Sequence, residues 1–330
     1  MKTKTSLVTG TTGSIGGHLA KFLLNRGDNV VGIVHDRHPQ SRNVLNLLDI
    51  EKDLHIAYGD ITDPLFVKRV VADMEVDEIY HLAALPIVRV GNVSPAPIFD
   101  VNINGTINIM EAAKDSNASV LFMSTDKVYG HHGNVPYKED FALNGLNIYE
   151  ASKACADLIV RSYNYVYGIP IVVSRSCNIY GPSDLNSRLI PNTIRNCLMN
   201  KPPLIFDGVG YTREWIYVED IVSALAALMA NISKTNGQCY NIGTGFSASQ
   251  DDVINEILKY FPGLKPQIVP PPKYTKKEIP YQTLNSEKVR NAIGWSPKVT
   301  FPEGIKTTVD WWIANKKKLL TANQLKETGR

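Results

Sequence analysis

A glycine-rich turn near the N-terminus constrains the fold of this chain most. The apolar residues 5–8 predict a strand, and the segment TGTTGSIGGHL that follows predicts a tight turn and a helix. Gly10, Gly13 and Gly16 permit the turn, a close approach of backbone N–H groups to a pyrophosphate, and close packing of helix on strand. Because the glycines lie between a strand and a helix, they predict a dinucleotide-binding βαβ unit.

An acidic residue follows the second predicted strand, at the distance from the glycine turn that favours NAD. Residues 30–34 predict that strand, and Asp36 lies twenty positions after the last glycine of the turn. A carboxylate there accepts hydrogen bonds from the adenosine ribose and repels a 2′-phosphate, which favours NAD over NADP. His35, Arg37 and Arg42 could instead receive that phosphate, so NADP stays open as the second choice.

Strands and helices continue to alternate along the first half of the chain. Residues 54–58, 78–82 and 118–123 predict three further strands, and helical stretches separate them. The alternation predicts an α/β fold with a doubly wound, parallel Rossmann sheet and a smaller C-terminal α/β lobe. We expect the Rossmann domain over residues 1–175 and the lobe over residues 176–330, with a chain that crosses between them more than once.

Small and polar residues at the ends of these strands are candidate cofactor contacts. Asp60 and Ile61 are placed to meet an adenine, and Ala83 and Ala84 are small where a cofactor would pass. Asn102 is expected to begin a helix, either as an N-cap or as a cofactor contact. The expected cofactor contacts are Gly10, Thr12, Gly13, Ser14, Ile15, Gly16, Asp36, Arg37, Asp60, Ile61, Leu82, Ala83, Ala84, Asn102, Tyr149 and Lys153.

Two motifs in the middle of the chain carry reactive side chains. Thr125, Asp126 and Lys127 come at the carboxyl end of the last predicted strand, where open α/β sheets hold their ligands. A helix that starts just before Tyr149 places this tyrosine and Lys153 on one face, one turn apart. A tyrosine with a pKa of about 10 is a poor base at neutral pH, and we expect the lysine to lower that pKa.

Composition argues against several other classes of protein. The 330 residues include 35 Lys and Arg against 32 Asp and Glu, a net charge of only +3, so no nucleic-acid partner is expected. The four cysteines have no zinc-like spacing, so no metal site is expected. No signal-peptide pattern occurs, and no apolar run approaches the roughly 18 residues that span a bilayer. We therefore expect a cytoplasmic protein without a membrane partner. The cysteines are Cys155, Cys177, Cys197 and Cys239.

Together these motifs resemble the extended short-chain dehydrogenase/reductase family, in its nucleotide-sugar branch. The resemblance covers nearly the whole chain and rests on TGTTGSIGGHL, GDITD, HLAA, NINGT, STDKVYG, YEASK, SCNIYGP, REWIYVED, YNIGTG and IGWSP. It implies tightly bound NAD with its nicotinamide above Tyr149 and Lys153, and a C-terminal lobe that holds a nucleotide-diphosphate hexose. It also implies a homodimer packed through the helices after Asn104 and near Tyr149. The substrate contacts that it implies are Arg89, Asn178, Arg188, Leu189, Arg213 and Asn241.

The residues after Thr125 indicate one reaction within that branch. Nucleotide-sugar epimerases typically carry a small residue pair at this point, whereas Asp126 and Lys127 both ionise, as in the 4,6-dehydratases. The dTDP-glucose enzymes usually have Asp-Glu and the CDP-glucose enzymes Asp-Lys, so the resemblance implies a CDP-glucose 4,6-dehydratase. UDP- and GDP-sugars stay possible, and a nucleotide-sugar 4-epimerase is the alternative enzyme. A non-catalytic NAD-binding regulatory protein is the alternative outside the enzymes.

The resemblance also implies a role for each reactive residue. Tyr149 removes the proton of the C4 hydroxyl, with Lys153 favouring the phenolate and Thr125 hydrogen-bonding the C4 oxygen. Asp126 is the acid at C6. Lys127 is either the base at C5 or an electrostatic stabiliser there, and both interpretations stay open.

Overall fold

A seven-stranded sheet forms the centre of the structure. This computed structural model describes residues 3–36, 43–86, 94–208, 210–271 and 279–320. The strands of the described ranges are β1 (Thr5–Thr9), β2 (Asn29–Val34), β3 (His55–Tyr58), β4 (Glu78–His81), β5 (Ser119–Thr125), β6 (Ile171–Ser176), β7 (Asn178–Tyr180), β8 (Leu204–Phe206), β9 (Thr212–Tyr217), β10 (Cys239–Ile242), β11 (Ser247–Ser249), β12 (Gln267–Val269) and β13 (Tyr281–Gln282). The central sheet has the order β10-β6-β5-β4-β1-β2-β3, and all its neighbouring strands are parallel.

Helices cover both faces of this sheet. They are α1 (Ser14–Arg26), α2 (Val44–Leu47), α3 (Pro64–Asp73), α4 (Pro95–Phe99), α5 (Gly105–Ser116), α6 (Ile148–Tyr167), α7 (Leu189–Leu198), α8 (Val218–Ala230), α9 (Ile232–Thr235), α10 (Gln250–Leu258), α11 (Glu287–Ile293) and α12 (Phe301–Ala314). Neighbouring strand residues point to opposite faces. Leu7 of β1 therefore packs into the core of α3, α5 and α6, and Val8 into the core of α1 and α8. The doubly wound sheet predicted from the sequence is confirmed.

Burial explains why these strands are parallel and central. All six residues of β6 are buried, and so are five of the seven in β5. Strands with both faces covered need apolar runs, here residues 171–173 and 120–123, and a parallel sheet between two helical layers supplies that environment; the polar residues at their carboxyl ends lie on the side of the candidate site. The long helix α6 is fixed at its start by a capping box between Asn147 and Glu150, and it ends at Gly168 with a left-handed φ of 71°.

A second, smaller sheet lies after β6 in the chain. It contains β11, β9 and β13, with β7 paired to β9, and a separate parallel pair joins β8 to β12. Between β9 and β11 the chain returns to the central sheet, where residues 239–242 form β10 beside β6. The division at residue 175 assigns this strand to the C-terminal lobe. The division itself stays a prediction.

The helix around Asn102 differs from the expectation. Helical structure begins at Pro95 in α4, continues through a π-helical segment, Asp100–Asn104, and passes directly into α5. Asn102 therefore lies inside a helix and is not its N-cap, so that interpretation is wrong. Within the described ranges, no helix is long and apolar enough to cross a bilayer. Nor do the His, Cys, Asp and Glu residues described form a group that could hold a metal ion.

Candidate active site

The candidate site lies where the strand order of the central sheet reverses. β1 and β4 are neighbours in space but far apart in sequence, and the chain leaves both at their carboxyl ends. Open α/β sheets bind ligands at such a switch point because the two connections diverge and leave a crevice. The glycine turn follows β1, and Leu82, Ala83 and Ala84 follow β4.

The glycine turn leaves no room for larger residues at two positions. Gly10 has a φ of +76°, and a Cβ on it would lie 3.0 Å from the Ala83 nitrogen. A Cβ on Gly16 would lie 2.1 Å from the Gly10 oxygen, so this residue lets α1 pack directly on the turn. Gly13 is exposed and precedes the first turn of α1, whose sequence, SIGG, contains no acid. The N-terminus of α1 is therefore open to an anion, which fits the pyrophosphate of a dinucleotide.

The other expected residues of the turn lie around the start of α1. Thr12, Ser14 and Ile15 are all half-buried. The Ser14 hydroxyl donates to the carbonyl of Pro182 at 3.4 Å, and His18 contacts the same carbonyl at 3.2 Å. The first turn of α1 is thus tied to the loop after β7.

A buried chain of hydrogen bonds fixes the segment after β4. Thr9 Oγ1 accepts from the backbone nitrogens of Leu82 at 3.1 Å and Ala83 at 3.0 Å, so its own proton goes to His81 Nδ1 at 2.8 Å. His81 Nε2 then donates to Thr106 Oγ1 at 3.0 Å. Complete burial lowers the pKa of His81 to about 3 and keeps the ring neutral. Sequence reasoning missed Thr9, His81 and Thr106; the histidine at a strand end in HLAA was the available signal.

Asn102 belongs to the same corner of the site. Its Oδ1 accepts from the backbone nitrogen of Leu85 at 2.8 Å, and its Nδ2 donates to Ser152 Oγ at 2.9 Å. The residue is 1% exposed. It therefore joins the segment after β4 to α6, and any contact with a cofactor is secondary to that bridge.

The adenosine end of the expected cofactor site is polar and open. His35 contacts Asp36 at 3.0 Å through Nδ1 and Asp60 at 3.1 Å through Nε2, and the hydrogen bond to Asp36 raises the pKa of His35. Ile61 is only 6% exposed, because its side chain packs on Gly105, so Asp60 is the more accessible of the adjacent pair. Arg37 and Arg89 lie outside the described residues.

Thr125, Asp126 and Tyr149 form the centre of the reactive cluster. Thr125 ends β5, and the next residues form a 3-10 turn, Asp126–Tyr129. Thr125 Oγ1 donates to Asp126 Oδ1 at 3.1 Å, and the Thr125 hydroxyl is one of the groups that lower the pKa of Tyr149 against the larger effect of burial. All three side chains are buried, with exposures of 8%, 1% and 9%. Asp126 Oδ2 is buried without a hydrogen-bond partner among the described residues, so a ligand hydroxyl would satisfy it.

Burial, and not Lys153, controls the ionisation of Tyr149. Desolvation raises the pKa of Tyr149 to about 12, against the opposing charge of Arg188. The Lys153 ammonium points elsewhere: Nζ donates to the Met123 carbonyl at 2.8 Å and lies 4.1 Å from the centre of the Phe122 ring. Burial lowers the pKa of Lys153 to about 7. The expected lowering of the tyrosine pKa by the lysine is therefore wrong for the protein alone.

Lys127 is held by a residue that sequence reasoning missed. Its side chain is half-buried, and Nζ donates to Gln282 Oε1 at 3.0 Å. Gln282 is completely buried on β13, and 155 positions separate the two residues. The Lys127 side chain therefore has a buried partner far away in the sequence. Nothing near Gln282 in the sequence signals it.

The expected substrate residues fall into two groups. Arg188 is exposed at the start of α7 beside the half-buried Leu189, and the charge of Arg188 acts on Tyr149. Arg213 is half-buried on β9, with its guanidinium 5.1 Å from the centre of the Tyr211 ring. Asn178 Nδ2 donates to the Glu214 carbonyl at 3.2 Å. Arg188, Leu189, Arg213 and Asn178 stay candidates for the substrate site.

The environment of Asn241 contradicts the substrate contact expected for it. The residue is 0% exposed on β10. Its Oδ1 accepts from the Tyr129 hydroxyl at 2.7 Å, and its Nδ2 donates to the Tyr137 carbonyl at 2.9 Å. With both ends of the amide used inside the protein, Asn241 cannot also bind a phosphate, and the prediction of a substrate contact is wrong. The residue instead fixes the turn after β5 to β10.

Comparisons with known proteins agree with this architecture. A family model described as GDP-mannose 4,6 dehydratase matches residues 7–308. The dTDP-glucose 4,6-dehydratase 1 of Escherichia coli (strain K12) is 32% identical over an alignment of 344 positions, gaps included. The alignment covers 94% of this chain and 93% of the relative.

Solved structures give the same picture. The dTDP-glucose 4,6-dehydratase DesIV of Streptomyces venezuelae, solved with NAD bound, superposes with a TM-score of 0.86 at 28% identity, over 94% of this chain and 98% of that one. A UDP-glucose 4-epimerase of Thermus thermophilus, also in complex with NAD, has a TM-score of 0.83 at 27% identity, over 94% and 99%. The family resemblance inferred from the motifs is confirmed, and the chain belongs to the nucleotide-sugar 4,6-dehydratase family.

Proposed function

We propose that the protein is an NAD-dependent 4,6-dehydratase that converts a pyrimidine nucleoside diphosphate glucose to its 4-keto-6-deoxy derivative and water. The observation that carries the proposal is the buried Asp126 carboxyl, which accepts a hydrogen bond from Thr125 and acts on the pKa of Tyr149, with a second ionisable residue, Lys127, directly after it. An epimerase that only moves a hydride to and from C4 needs neither an acid at C6 nor a group acting at C5. Two ionisable residues next to the tyrosine match an elimination.

NAD fits the crevice between β1 and β4. The turn of Gly10, Gly13 and Gly16 brings backbone nitrogens to the N-terminus of α1 for the pyrophosphate, and Asp36 stands at the end of β2 for the ribose hydroxyls. Bound there, NAD supplies a hydride acceptor for the first step and a hydride donor for the last. The 2′-phosphate of NADP would meet the carboxylates of Asp36 and Asp60.

The first step oxidises C4 of the hexose. Tyr149 takes the proton of the C4 hydroxyl as the hydride leaves C4, and Thr125 hydrogen-bonds the C4 oxygen. Because the pKa of the Tyr149 phenol is high, its phenolate is a strong proton acceptor once it forms. The charge of Arg188 favours that form, and Lys153, with a pKa of about 7, lies one turn along the same helix.

The second step eliminates water across C5 and C6. The C4 ketone acidifies the proton on C5, a base removes it, and Asp126 in its acid form protonates the departing C6 hydroxyl. The products are water and an unsaturated ketone, which gains a hydride at C6 and a proton at C5. Lys127 serves either as the C5 base or as a cation that stabilises the enolate.

Two observations support a pyrimidine nucleotide in the substrate, but they favour different bases. By resemblance, the pair Asp126 and Lys127 supports CDP-glucose. The names of the Escherichia coli and Streptomyces relatives support dTDP-glucose. Arg188 and Arg213 are the cations that would meet the diphosphate, since a guanidinium can bond two phosphate oxygens at once.

Mass spectrometry of the purified protein with NAD and each of CDP-, dTDP-, UDP- and GDP-glucose tests the proposal. We expect the loss of one water from CDP- or dTDP-glucose with no net NADH, and a much slower reaction for the Asp126→Asn variant. A product of unchanged mass with a new retention time would instead identify an epimerase. It would leave Asp126 and Lys127 without a role.

We also propose a homodimer that packs through α5 and α6, as the family resemblance implies. Four apolar or aromatic side chains of α6 are well exposed, namely Leu158 at 54%, Tyr165 at 90%, Val166 at 62% and Tyr167 at 56%. Light scattering of the wild type and of Leu158→Glu tests this. Twice the chain mass is expected for the wild type, and a monomer for the wild type would refute the proposal.

A further inference from the structure

Gln282 contacts the reactive cluster through Lys127. It is completely buried, and its Oε1 accepts from Lys127 Nζ at 3.0 Å. Its Nε2 is also buried and has no hydrogen-bond partner among the described residues. A buried amide nitrogen without a hydrogen-bond partner lowers the stability of the folded protein. The contact of the Gln282 oxygen to Lys127 therefore needs an explanation other than stability.

The backbone on both sides of Gln282 is fixed by Tyr137. The Tyr137 hydroxyl donates to the Tyr281 carbonyl at 2.9 Å, and the Tyr137 nitrogen donates to the Thr283 carbonyl at 2.9 Å. One residue further on, the Leu284 nitrogen donates to the buried Glu214 carboxyl at 2.6 Å. These bonds fix the backbone from which the Gln282 side chain extends.

Strand pairing also links Gln282 to the expected phosphate-binding side of the substrate site. Gln282 on β13 is the direct partner of Arg213 on β9, in a parallel register. The short strand β13 therefore carries the amide that contacts Lys127. The same strand lies next to Arg213, which we expect to bind the diphosphate. Movement of β13 would change both positions together.

We propose that Gln282 is a positioning residue for Lys127: its amide oxygen holds the lysine Nζ where the proton of C5 is removed. The inference rests on the proposed dehydratase function and adds a residue to it. A free lysine side chain samples many rotamers, and a reacting group misplaced by about 1 Å can slow a step by about a hundredfold. Gln282 removes that freedom without adding charge.

The first test uses Gln282→Leu, which keeps the side-chain volume and removes the acceptor. The wild type and the variant are mixed rapidly with NAD and substrate, NADH is followed by absorbance, and water loss is followed by quenched-flow mass spectrometry. We expect NADH to form within about twofold of the wild-type rate, while water loss slows by about tenfold to a hundredfold and KM stays within about twofold. Equal losses in both steps, or no loss in either, would overturn the proposal.

Thr283→Val is the matched control for this variant. Thr283 follows Gln282, is 4% exposed, and has a hydroxyl without a partner among the described residues. Its replacement by an isosteric apolar residue is expected to leave both steps and the melting temperature unchanged. A step-specific loss in Thr283→Val would show that the segment, and not the Gln282 amide, controls the lysine.

A second variant, Gln282→Glu, tests the contact without removing the acceptor. A carboxylate at this position raises the pKa of Lys127, so the limb of the pH–rate profile that Lys127 controls moves to higher pH. If Lys127 is the C5 base, that limb is the acidic one; if it is a cationic stabiliser, the limb is the alkaline one. A profile that does not move would refute the contact in the working enzyme.

The two proposals fail in different ways. If the wild type removes no water from any of the four nucleotide glucoses, the proposed function is wrong and Gln282 has no elimination to assist. If the wild type dehydrates its substrate and Gln282→Leu does so at the same rate, only the role of Gln282 is wrong.

Discussion

The glycine turn after β1 and the cluster at the end of β5 lie at the same edge of one sheet, but different physical effects build them. Steric limits on the backbone build the turn, since side chains beyond hydrogen at Gly10 and Gly16 would meet main-chain atoms. Burial builds the cluster, since desolvation dominates the pKa of both Tyr149 and Lys153. A substitution should therefore change shape and stability at the turn, and proton chemistry at the cluster.

The largest expected effect is at the cluster, in Tyr149→Phe. This variant removes one hydroxyl and keeps the ring that packs at 9% exposure. Because the proposed acceptor of the C4 proton is lost, we expect product formation, followed by mass spectrometry, to fall by about a thousandfold. Tyr165→Phe, on the same helix and 90% exposed, is the control that keeps full activity. Activity of Tyr149→Phe within tenfold of the wild type would remove the tyrosine from the reaction.

Lys153→Met tests whether desolvation controls the cluster. In the folded protein the lysine has a pKa of about 7 against an ordinary value of 10.5, so between these pH values only the unfolded chain holds the proton. The wild type should therefore gain stability relative to the variant as pH rises through this window, by up to about 1.4 kcal/mol per pH unit. Below pH 7 the buried Lys153 is protonated, and the wild type bears the full free-energy cost of desolvating that charge. The stability of Lys153→Met relative to the wild type is therefore highest there.

Urea unfolding of both proteins at pH 7, 8 and 9 measures this difference. Lys138→Met, at an exposed position, is the matched control for the loss of one lysine side chain. A constant gap between Lys153→Met and the wild type would show that Lys153 is solvated in solution.

At the turn, Gly16→Ala should act through shape. The added Cβ would meet the Gly10 oxygen at 2.1 Å, so α1 must shift away from β1. We expect a loss of about 1–3 kcal/mol in the free energy of unfolding and weaker binding of NAD in a calorimetric titration. The control is Gly210→Ala, where a Cβ would meet no atom of the described residues within 4 Å. Equal stability of the two variants would contradict the steric account.

The smallest expected effect is at the adenosine end, in Asp36→Asn. Loss of the carboxylate charge weakens hydrogen bonds from ribose hydroxyls and ends the repulsion of a 2′-phosphate. We expect NAD to bind about tenfold more weakly and NADP to bind more strongly, both measured by calorimetry. An unchanged preference for NAD would indicate that other residues select the cofactor.

Sequence patterns were sufficient for the turn and insufficient for the cluster. The glycine spacing and the strand–helix alternation are local, so β1 to β5 could be predicted from them, whereas β6 and β10 of the same sheet were not predicted. The partners of Asn241 and Lys127 are not local: the Lys127 contact to Gln282 spans 155 positions, and the Asn241 contact to Tyr137 spans 104. The pKa of Tyr149 depends on how many elements cover it, which no spacing encodes. Motif resemblance named Asn241 as a ligand because it records position and not hydrogen-bond occupancy.

The return of the chain to place β10 beside β6 has a consequence for how the protein is made. A ribosome releases residues 171–176 well before residues 239–242, so β6 emerges as an open sheet edge. The central sheet is complete only after residue 242 of the 330 has been synthesised. A nascent chain stalled between these two strands, or a gene truncated after residue 176, would leave the edge of β6 unpaired and make it a target for chaperones or a seed for aggregation.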